Sequence, residues 1–433
     1  MGVTLGWSRS LSVGPGRGPG ETRDELVADS QSTERMTLDV GAPLGPGDVG
    51  SRLTASGPAA RAVLPAQLGM PAYGGACLDS LYPALSSAPG QRPAWLPAAL
   101  RRAGQVVLLV LDGLGWLQLF ARKQLAPSLG RFEGGPISSV APTTTATALS
   151  SLALGMSPAD HGIVGYKFPV NGPTGREVLN VLRWTTRSGD ARTFLPPSDV
   201  QPLPAFGGSK VPVVSRADFS GSGFTQAHQQ GGREVPWVVS SSLPELVRRL
   251  VAEGEPFVYA YYDGIDKVAH ASGLGDLYAA ELAFVDRMVA DLVEVLPVGS
   301  ALAVTADHGQ VDVGPRAGFV VPEVADKTEL MSGEPRFRWL HSRPGCSDAL
   351  LDRALSYYAD EAWVATRDDV LATGVFGSMP SDQACARLGD VVLVPFGSNA
   401  YLDPHDTGDA RLICRHGGLS AEELLVPLLG FAP

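Results

Sequence analysis

The sequence predicts an α/β fold with a mostly parallel central sheet, because apolar segments alternate with helical patterns along most of its length. Continuous apolar runs of this kind are typical of strands buried on both faces, as in parallel sheets. Helical patterns at 243–252 and 277–296 flank these runs, which indicates βαβ units. The three clearest runs are residues 105–111, 257–262 and 301–306.

The composition indicates a globular protein with a sizeable core. The 433 residues are 44% hydrophobic and 18% charged, which excludes a disordered or fibrous chain. The formal net charge is −11, and an acidic chain is a poor binder of nucleic acid because that affinity comes mostly from Lys and Arg on phosphates. We therefore expect no nucleic-acid partner.

Targeting signals and cysteine patterns are absent from the sequence. No apolar run reaches the roughly 18 residues that a membrane span needs, and the N-terminus has no apolar leader segment. These features predict a cytoplasmic protein with no membrane partner. The four cysteines form no C-x-x-C pair, so neither a disulfide framework nor a cysteine-rich zinc site is expected.

The chain divides into two regions of different composition. Residues 1–60 are rich in Gly, Pro and Ser, and the stretch 14–20 alternates Gly with Pro or Arg. Such a segment buries too little surface to offset its ordering entropy, so we expect it to be largely disordered or extended. Met36 is an alternative start. Residues 61–433 are expected to form one folded domain.

Acidic residues and histidines follow the predicted strands. Asp112 comes directly after the first run, and Asp307-His308 comes directly after the third. After the second run, Asp266 and His270 are four residues apart, a spacing that places two side chains on one face of a helix. In open α/β sheets ligands bind beyond the carboxyl ends of the strands, so these side chains are expected to meet there.

His416 lies at another predicted junction between a strand and a helix. A short apolar strand is predicted at 411–414, and Ser420 with Glu423 makes the capping box of a C-terminal helix. Mixed carboxylate and imidazole ligands suit zinc, with manganese or iron as competitors. Two such ligand sets suit a two-metal centre of the kind found in many phosphate-ester enzymes.

A run of threonines opens a predicted small-residue helix that reaches about Leu154 and ends at Gly155. A hydroxyl at a helix N-terminus lies where backbone N–H groups and the helix dipole favour an anion, such as an attacked phosphoryl group. N-capping is the alternative role, which threonine fills routinely. The candidates are Thr143, Thr144, Thr145 and Thr147.

Six motifs occur in one order along the chain: Asp112, Pro142-Thr-x-Thr145, the segment 155–163 around His161, Asp266-x-x-x-His270, Asp307-His308-Gly309 and His416-Gly-Gly. This series resembles the alkaline phosphatase superfamily and, within it, the type I phosphodiesterase/nucleotide pyrophosphatase family. The resemblance runs from about residue 105 to the C-terminus. It implies an alkaline-phosphatase-like three-layer sandwich as a catalytic domain at 61–433, with cap insertions at about 165–240 and 310–410.

The resemblance also implies two zinc ions per chain and a threonine nucleophile. The nucleophile is the second Thr of Pro-Thr-x-Thr, which is Thr145. His161 falls in a turn that is usually structural in the family and is not counted as a ligand. One implied metal set is Asp266, His270 and His416. The other is Asp112, Asp307 and His308, together with the hydroxyl of Thr145.

Two positions depart from the family pattern. Where the family has an Asn that donates to a phosphate oxygen, this chain has Tyr166, followed by Lys167, and the second Pro of the nucleophile motif is Thr147. We expect Tyr166 or Lys167 to bind the substrate in place of the Asn. Lys167 would favour a more highly charged group.

The resemblance therefore implies a two-zinc phosphoric ester hydrolase of the phosphodiesterase/nucleotide pyrophosphatase type that acts through a phosphothreonine intermediate. Its expected substrate is a small-molecule phosphate ester or a nucleotide-like molecule. Tyr166 and Lys167 keep open the alternative of a phosphomonoesterase or phosphonate hydrolase that uses the same site. A third alternative is a non-catalytic binding protein that retains the fold, although the intact nucleophile and ligands argue against it. The remaining histidines, which are His228, His341 and His405, are expected at the surface.

Overall fold

The computed structural model describes residues 63–405 and 410–433. The segment 1–60, expected to be disordered or extended, and the alternative start Met36 lie outside these residues. All four cysteines lie within them and are free thiols. None of the helices in the described residues has both the length and the apolar character needed to span a bilayer.

Among the described residues, seven strands form the central sheet. They are β1 (Gln105–Leu111), β2 (Glu133–Ser138), β7 (Pro212–Arg216), β8 (Arg233–Trp237), β9 (Phe257–Tyr262), β10 (Ser300–Thr305) and β19 (Leu425–Phe431). Their order across the sheet is β2-β19-β10-β1-β9-β7-β8. The pairs from β10 to β8 are parallel, whereas β19 is antiparallel to both β10 and β2. The predicted mostly parallel sheet is confirmed.

Helices cover both faces of the central strands. Every residue of β9 and β10 is buried, and because successive side chains point to opposite faces, both faces of these strands must be covered. The helices are α1 (Leu78–Ser86), α2 (Ala98–Arg102), α3 (Trp116–Ala121), α4 (Thr145–Leu154), α5 (Pro158–His161), α6 (Pro197–Val200), α7 (Gly223–His228), α8 (Leu243–Ala252), α9 (Gly264–Ser272), α10 (Asp276–Val295), α11 (Pro322–Ala325), α12 (Ser347–Tyr358), α13 (Arg367–Thr373), α14 (Asp382–Cys385) and α15 (Ala421–Leu424).

Smaller sheets lie outside the central one. The first contains β3 (Lys167–Gly172), β4 (Gly175–Asn180), β5 (Thr185–Thr186) and β6 (Gly189–Asp190). The second contains β13 (Thr328–Glu334), β14 (Phe337–Ser342), β15 (Ala362–Thr366) and β16 (Val391–Pro395). Two further pairs are β11 (Val311–Asp312) with β18 (Cys414–Arg415) and β12 (Ala317–Phe319) with β17 (Ala400–Leu402).

Two expected boundaries differ from the structure. The region expected as a cap at about 165–240 leaves the central sheet only for its first part, since β7 and β8 are strands of that sheet. The short strand predicted at 411–414 is instead β18, at Cys414–Arg415. Its partner β11 has only two residues, Val311 and Asp312, so the ladder cannot extend further.

A buried Arg–Glu pair joins the second small sheet to the loop that carries His416. Arg336, between β13 and β14, donates from Nε and Nη2 to the two carboxylate oxygens of Glu423, at 2.6 and 2.7 Å. Glu423 in turn accepts from the backbone N–H of Gly418 and the hydroxyl of Ser420, both at 2.8 Å. The predicted capping box is present, and the bidentate arginine fixes its carboxylate.

Candidate active site

Two buried aspartates end neighbouring strands of the central sheet. Asp112 follows β1, and Asp307 lies just beyond the end of the adjacent parallel strand β10. Asp307 Oδ1 accepts from the backbone N–H groups of Gly113 and His308, each at 3.1 Å. Asp112 Oδ2 accepts from the hydroxyl of Tyr261. These bonds fix both carboxylates at the carboxyl edge of the sheet.

Burial makes this pair of carboxylates costly in their charged form. Burial, and then repulsion from Asp307 and Asp266, raises the pKa of Asp112 well above its usual range. Burial also raises the pKa of Asp307, partly offset by His308. Within 63–405 and 410–433, neither Asp112 Oδ1 nor Asp307 Oδ2 has a hydrogen-bond partner. A cation bound between these two buried oxygens would give each of them the partner that it lacks.

Three histidines face the aspartates. His308 Nε2 lies 3.4 Å from both Asp112 Oδ1 and Asp307 Oδ2. Asp266, in the first turn of α9, has its Oδ1 3.2 Å from His270 Nε2 and 3.9 Å from His416 Nε2. The spacing of Asp266 and His270 is helical, as predicted.

The other ring nitrogen of each histidine is anchored to the backbone. Nδ1 of His270 donates to the carbonyl of Cys414 at 2.7 Å, and Nδ1 of His416 donates to that of Thr143 at 2.9 Å. His308 Nδ1 lies 3.1 Å from the carbonyl of Gly309. Since a carbonyl only accepts, Nδ1 carries the proton in each ring, and Nε2 presents its lone pair to the carboxylates. This is the arrangement of metal-ligating histidines with a fixed tautomer.

The donor atoms fall into two groups. One atom from each member of a group lies within 4.8 Å of the others. The groups are Asp266, His270 and His416, and Asp112, Asp266 and His308. Asp266 therefore belongs to both groups. Asp307 lies beside the second group, because its Oδ2 is 3.4 Å from His308 Nε2. The structure thus brings together all six side chains that the sequence nominated as ligands.

Thr145 is the first residue of α4, and its hydroxyl points at this cluster. Thr145 Oγ1 lies 3.1 Å from His308 Nε2, and the residue is 8% exposed. Thr144 is the N-cap, but its side chain makes no capping bond. Thr143 instead donates to the carbonyl of Gly418 at 2.7 Å and so supports the His416 loop. The helix ends at Leu154, and Gly155 takes a left-handed conformation with φ 67°.

Tyr166 lies beside the same cluster, and the Lys167 side chain lies against the Tyr166 ring. A cavity of about 290 Å³ lies here, and we call it the Tyr166 cavity. Its lining includes Thr145, Tyr166, Arg183, His270, Glu334 and His416. The Tyr166 hydroxyl accepts from the amide of Asn180 at 2.6 Å, and the Lys167 ammonium lies 4.8 Å from the Tyr166 ring centroid. Asn180, on β4, thus brings an amide beside Tyr166 that the sequence motif lacks.

Sequence reasoning missed three side chains that support the site. Gln310 donates to Asp266 Oδ1 at 2.5 Å, and Tyr261 holds Asp112. Glu334, at the end of β13, accepts from the Tyr166 backbone N–H at 3.1 Å, and burial raises its pKa to about 8. Gln310 directly follows the Asp307-His308-Gly309 motif, so its position was a usable signal. Glu334 had none, because only the folding of the second small sheet brings it to the site.

The histidines outside the cluster divide into buried and exposed. His161 is buried and bonds to the Ser151 hydroxyl at 2.8 Å. The expected surface positions of His228 and His341 are wrong, since they are 3% and 1% exposed. Their Gly-rich or polar neighbours suggested loops, but His228 ends α7 and His341 lies in β14. The side chain of His405 is exposed, as expected.

A sequence model of one protein family, described as type I phosphodiesterase/nucleotide pyrophosphatase, matches residues 106–395. No curated protein sequence matches the chain. Among solved structures, murine ectonucleotide pyrophosphatase/phosphodiesterase 5 is 15% identical with a TM-score of 0.59, covering 76% of this chain and 88% of its own. The human counterpart is 15% identical with a TM-score of 0.57, covering 75% and 87%.

A second kind of enzyme shares the fold. Phosphonoacetate hydrolase from Sinorhizobium meliloti 1021, solved in complex with phosphonoformate, is 22% identical with a TM-score of 0.51. The match covers 79% of this chain and 92% of the hydrolase. At these identities the structural matches establish the fold alone, and they bear out the expected alkaline-phosphatase-like architecture.

Replacing His341 by Gln should make the free energy of unfolding depend less on pH at acid pH. Burial, followed by repulsion from Arg176, lowers the pKa of His341 to about 3, below its unfolded value of about 6.5. The stability it contributes is therefore complete above pH 6.5 and is lost as the pH falls toward 3. The free energy of unfolding can be measured by urea titration at a series of pH values between about 5.5 and 4. Its slope against pH should be smaller by about 1.4 kcal/mol per pH unit in His341→Gln than in the wild type.

His405→Gln is the matched control, because the His405 side chain is 90% exposed. The control should leave the slope unchanged. A His341 variant with the wild-type slope would contradict the assignment of a neutral buried imidazole.

Proposed function

The chain belongs to the type I phosphodiesterase/nucleotide pyrophosphatase family, and from that premise we propose a two-zinc phosphoric ester hydrolase that acts through a phosphothreonine intermediate. The observation that carries the proposal is the position of Thr145. Thr145 is the first residue of a ten-residue helix. Its hydroxyl lies 3.1 Å from His308 Nε2, inside the cluster of aspartates and histidines. A phosphoryl anion placed there would face both the helix N-terminus and the nucleophile.

The side chains at the strand ends are suited to hold two divalent ions. We assign Asp266, His270 and His416 to one, and Asp112, Asp307, His308 and Thr145 to the other. Bound zinc would supply Lewis-acid charge that lowers the pKa of the Thr145 hydroxyl and stabilises the charged phosphoryl group. The backbone anchors of the three Nδ1 atoms keep each Nε2 in place for this role.

The reaction proposed for the chain has two steps. The Thr145 hydroxyl loses its proton to solvent, and Oγ1 attacks phosphorus. As the P–O bond to the threonine forms, the P–O bond to the leaving group breaks, and the leaving oxygen keeps the electron pair. Water then cleaves the phosphothreonine and restores the hydroxyl. The backbone N–H groups in the first turn of α4 face the phosphoryl oxygens throughout. We place the leaving oxygen on the side of Asp266, His270 and His416.

We further propose that the two small sheets form part of the substrate-binding wall. Tyr166 immediately precedes β3, and Glu334 ends β13. Both residues line the Tyr166 cavity together with Thr145. Tyr166 and Lys167 are the proposed phosphate or leaving-group contacts. These residues also support the alternative of a phosphomonoesterase or phosphonate hydrolase, because the nearby ammonium favours a more highly charged group. Nitrophenyl monoesters and diesters compared on one preparation would separate the two.

Zinc content should distinguish the two ligand sets. Protein purified without chelator should contain about two zinc ions per chain, and His416→Ala about one. The variant should keep its fold, because bonds from Thr143 and to Glu423 hold the loop independently of the imidazole. Elemental analysis and the thermal midpoint are measured together. Wild-type protein that takes up no zinc would contradict the proposal, as would a His416 variant that unfolds yet keeps its metal.

Thr145→Ala tests the proposed mechanism directly. Turnover of a nitrophenyl diester should fall by several orders of magnitude because the covalent route is lost, while fold and most zinc remain. Thr144→Ala is the matched control, one residue away, and should cost far less because its side chain makes no capping bond. Near-wild-type turnover in Thr145→Ala would contradict the mechanism, and a dead Thr144→Ala would show that the nucleophile has been misassigned.

A further inference from the structure

A pocket outside the metal cluster is lined by residues of the first small sheet, α6 and α14. Its volume is about 360 Å³, and small-molecule sites run from about 300 to 1,000 Å³. None of the proposed metal ligands or substrate contacts is among the described residues that line it, so the proposed reaction does not use it. We call it the arginine pocket. The residues that define it are Val170, Arg176, Leu195, Val200, Ala386 and Arg387.

Arg387, two residues beyond the end of α14, is a buried cation in the wall of this pocket. The residue is only 6% exposed. Its Nη1 donates to the carbonyl of Gly162 at 2.5 Å, and its Nη2 donates to the carbonyl of Val200 at 3.1 Å. The guanidinium also lies 4.8 Å from the centroid of the Phe168 ring. These contacts hold the side chain in place, but none of them supplies a full negative charge.

The charge of Arg387 has no carboxylate partner in the part of the chain that the structure describes. Burial lowers the pKa of Arg387 to about 10, and no nearby carboxylate opposes that shift. A buried charge is costly unless an opposite charge pairs with it. The two carbonyls engage Nη1 and Nη2, so the Nε–H group still lacks an acceptor among the described residues. An oxyanion bound in the pocket would accept from the guanidinium and compensate its charge.

Arg176, on β4, brings a second guanidinium to the same wall. Its Nη2 donates to Nδ1 of His341 at 3.1 Å. Burial, followed by repulsion from Arg176, lowers the pKa of His341 to about 3, so this imidazole is neutral and offers no negative charge. None of the described residues that line the pocket is an Asp or a Glu. Two guanidiniums in an acid-free concave site create a positive potential that attracts an anion.

The rest of the lining determines which anion fits. The side chains of Val170, Leu195, Val200 and Ala386 are apolar, so an anion with an apolar body can bury surface against them. A bare inorganic ion would leave this surface in contact with water. The planar N–H fork of arginine matches a carboxylate, and a carboxylate carries the single negative charge that Arg387 lacks. These features together favour a small organic carboxylate.

We propose that the arginine pocket binds a small organic carboxylate, with the carboxylate on Arg387 and Arg176 and the apolar body against Leu195 and Val200. The site needs neither zinc nor Thr145, so the inference does not rest on the proposed function. Arg387 contacts Gly162 and Phe168, on either side of Tyr166 and Lys167 in the sequence. A bound carboxylate would therefore lie beside the segment that carries the proposed substrate contacts.

The test is isothermal titration calorimetry of the zinc-loaded wild type with sodium hexanoate, sodium acetate and hexan-1-ol. Hexanoate should bind at least about tenfold more tightly than acetate, because its longer chain buries more apolar surface. It should also bind at least about tenfold more tightly than hexan-1-ol, which has a chain of the same length but no charge. Wild-type protein that binds hexanoate no more tightly than hexan-1-ol would overturn the inference.

Arg387→Met removes the buried charge and should weaken hexanoate binding at least about tenfold. Arg353→Met is the matched control, because it makes the same change at an exposed arginine of α12 and should keep the wild-type affinity. Thr145→Ala should keep it too, so a failure of the hydrolase proposal leaves this result unchanged. Wild-type affinity in folded Arg387→Met would mean that hexanoate binds elsewhere, such as on the zinc ions, and the inference would be wrong.

Ala386→Phe decides the question if Arg387→Met does not fold. Ala386 is exposed in the pocket lining, so a phenyl ring there would fill the pocket while the contacts of Arg387 remain. Hexanoate binding should again weaken at least about tenfold, because the apolar body loses its space. Thermal midpoints and zinc contents show whether each variant keeps its fold and its metal cluster. An unchanged affinity in folded Ala386→Phe would overturn the inference.

Discussion

Repulsion between buried carboxylates at the ends of adjacent strands is the constraint on which the site depends. Asp112 and Asp307 are buried, and burial raises the pKa of both. Parallel pairing of β1 with β10 forces them together at the same edge of the sheet. Backbone N–H groups satisfy one oxygen of Asp307, and the Tyr261 hydroxyl satisfies one oxygen of Asp112. The other oxygen of each aspartate has no hydrogen-bond partner among the described residues and faces the position where we place a metal ion.

The last part of the chain completes the cluster from a large distance in sequence. His416 reaches Asp266 only because its loop is tied at several points: Thr143 bonds to Gly418, and Glu423 bonds to Gly418 and Ser420. Arg336 holds Glu423 with both of its parallel N–H groups, and this pair is fully buried. Removing one partner of such a pair leaves an uncompensated buried charge, so we expect the loop that carries His416 to depend on the second small sheet for its position.

The sequence was informative where chemistry and periodicity coincide. Apolar strands ending in acids predicted the sheet and placed Asp112, Asp266 and Asp307 at one edge. It failed where a role depends on contacts between distant segments: nothing local marks Glu334 as a neighbour of Tyr166, and Gly-rich surroundings wrongly placed His228 at the surface. The strand predicted at 411–414 was shifted because its length is set by β11, a partner that the local pattern does not reveal.

We propose that Thr145 carries the phosphoryl group during turnover. The direct measurement is to quench the zinc-loaded protein in acid during hydrolysis of a slow diester, then determine its intact mass and map the modified peptide. We expect a mass increase equal to the retained phosphoryl ester, located on Thr145 and absent from Thr145→Ala. Continued turnover with no adduct under quench conditions that preserve a phosphothreonine standard, or an adduct on another residue, would contradict it.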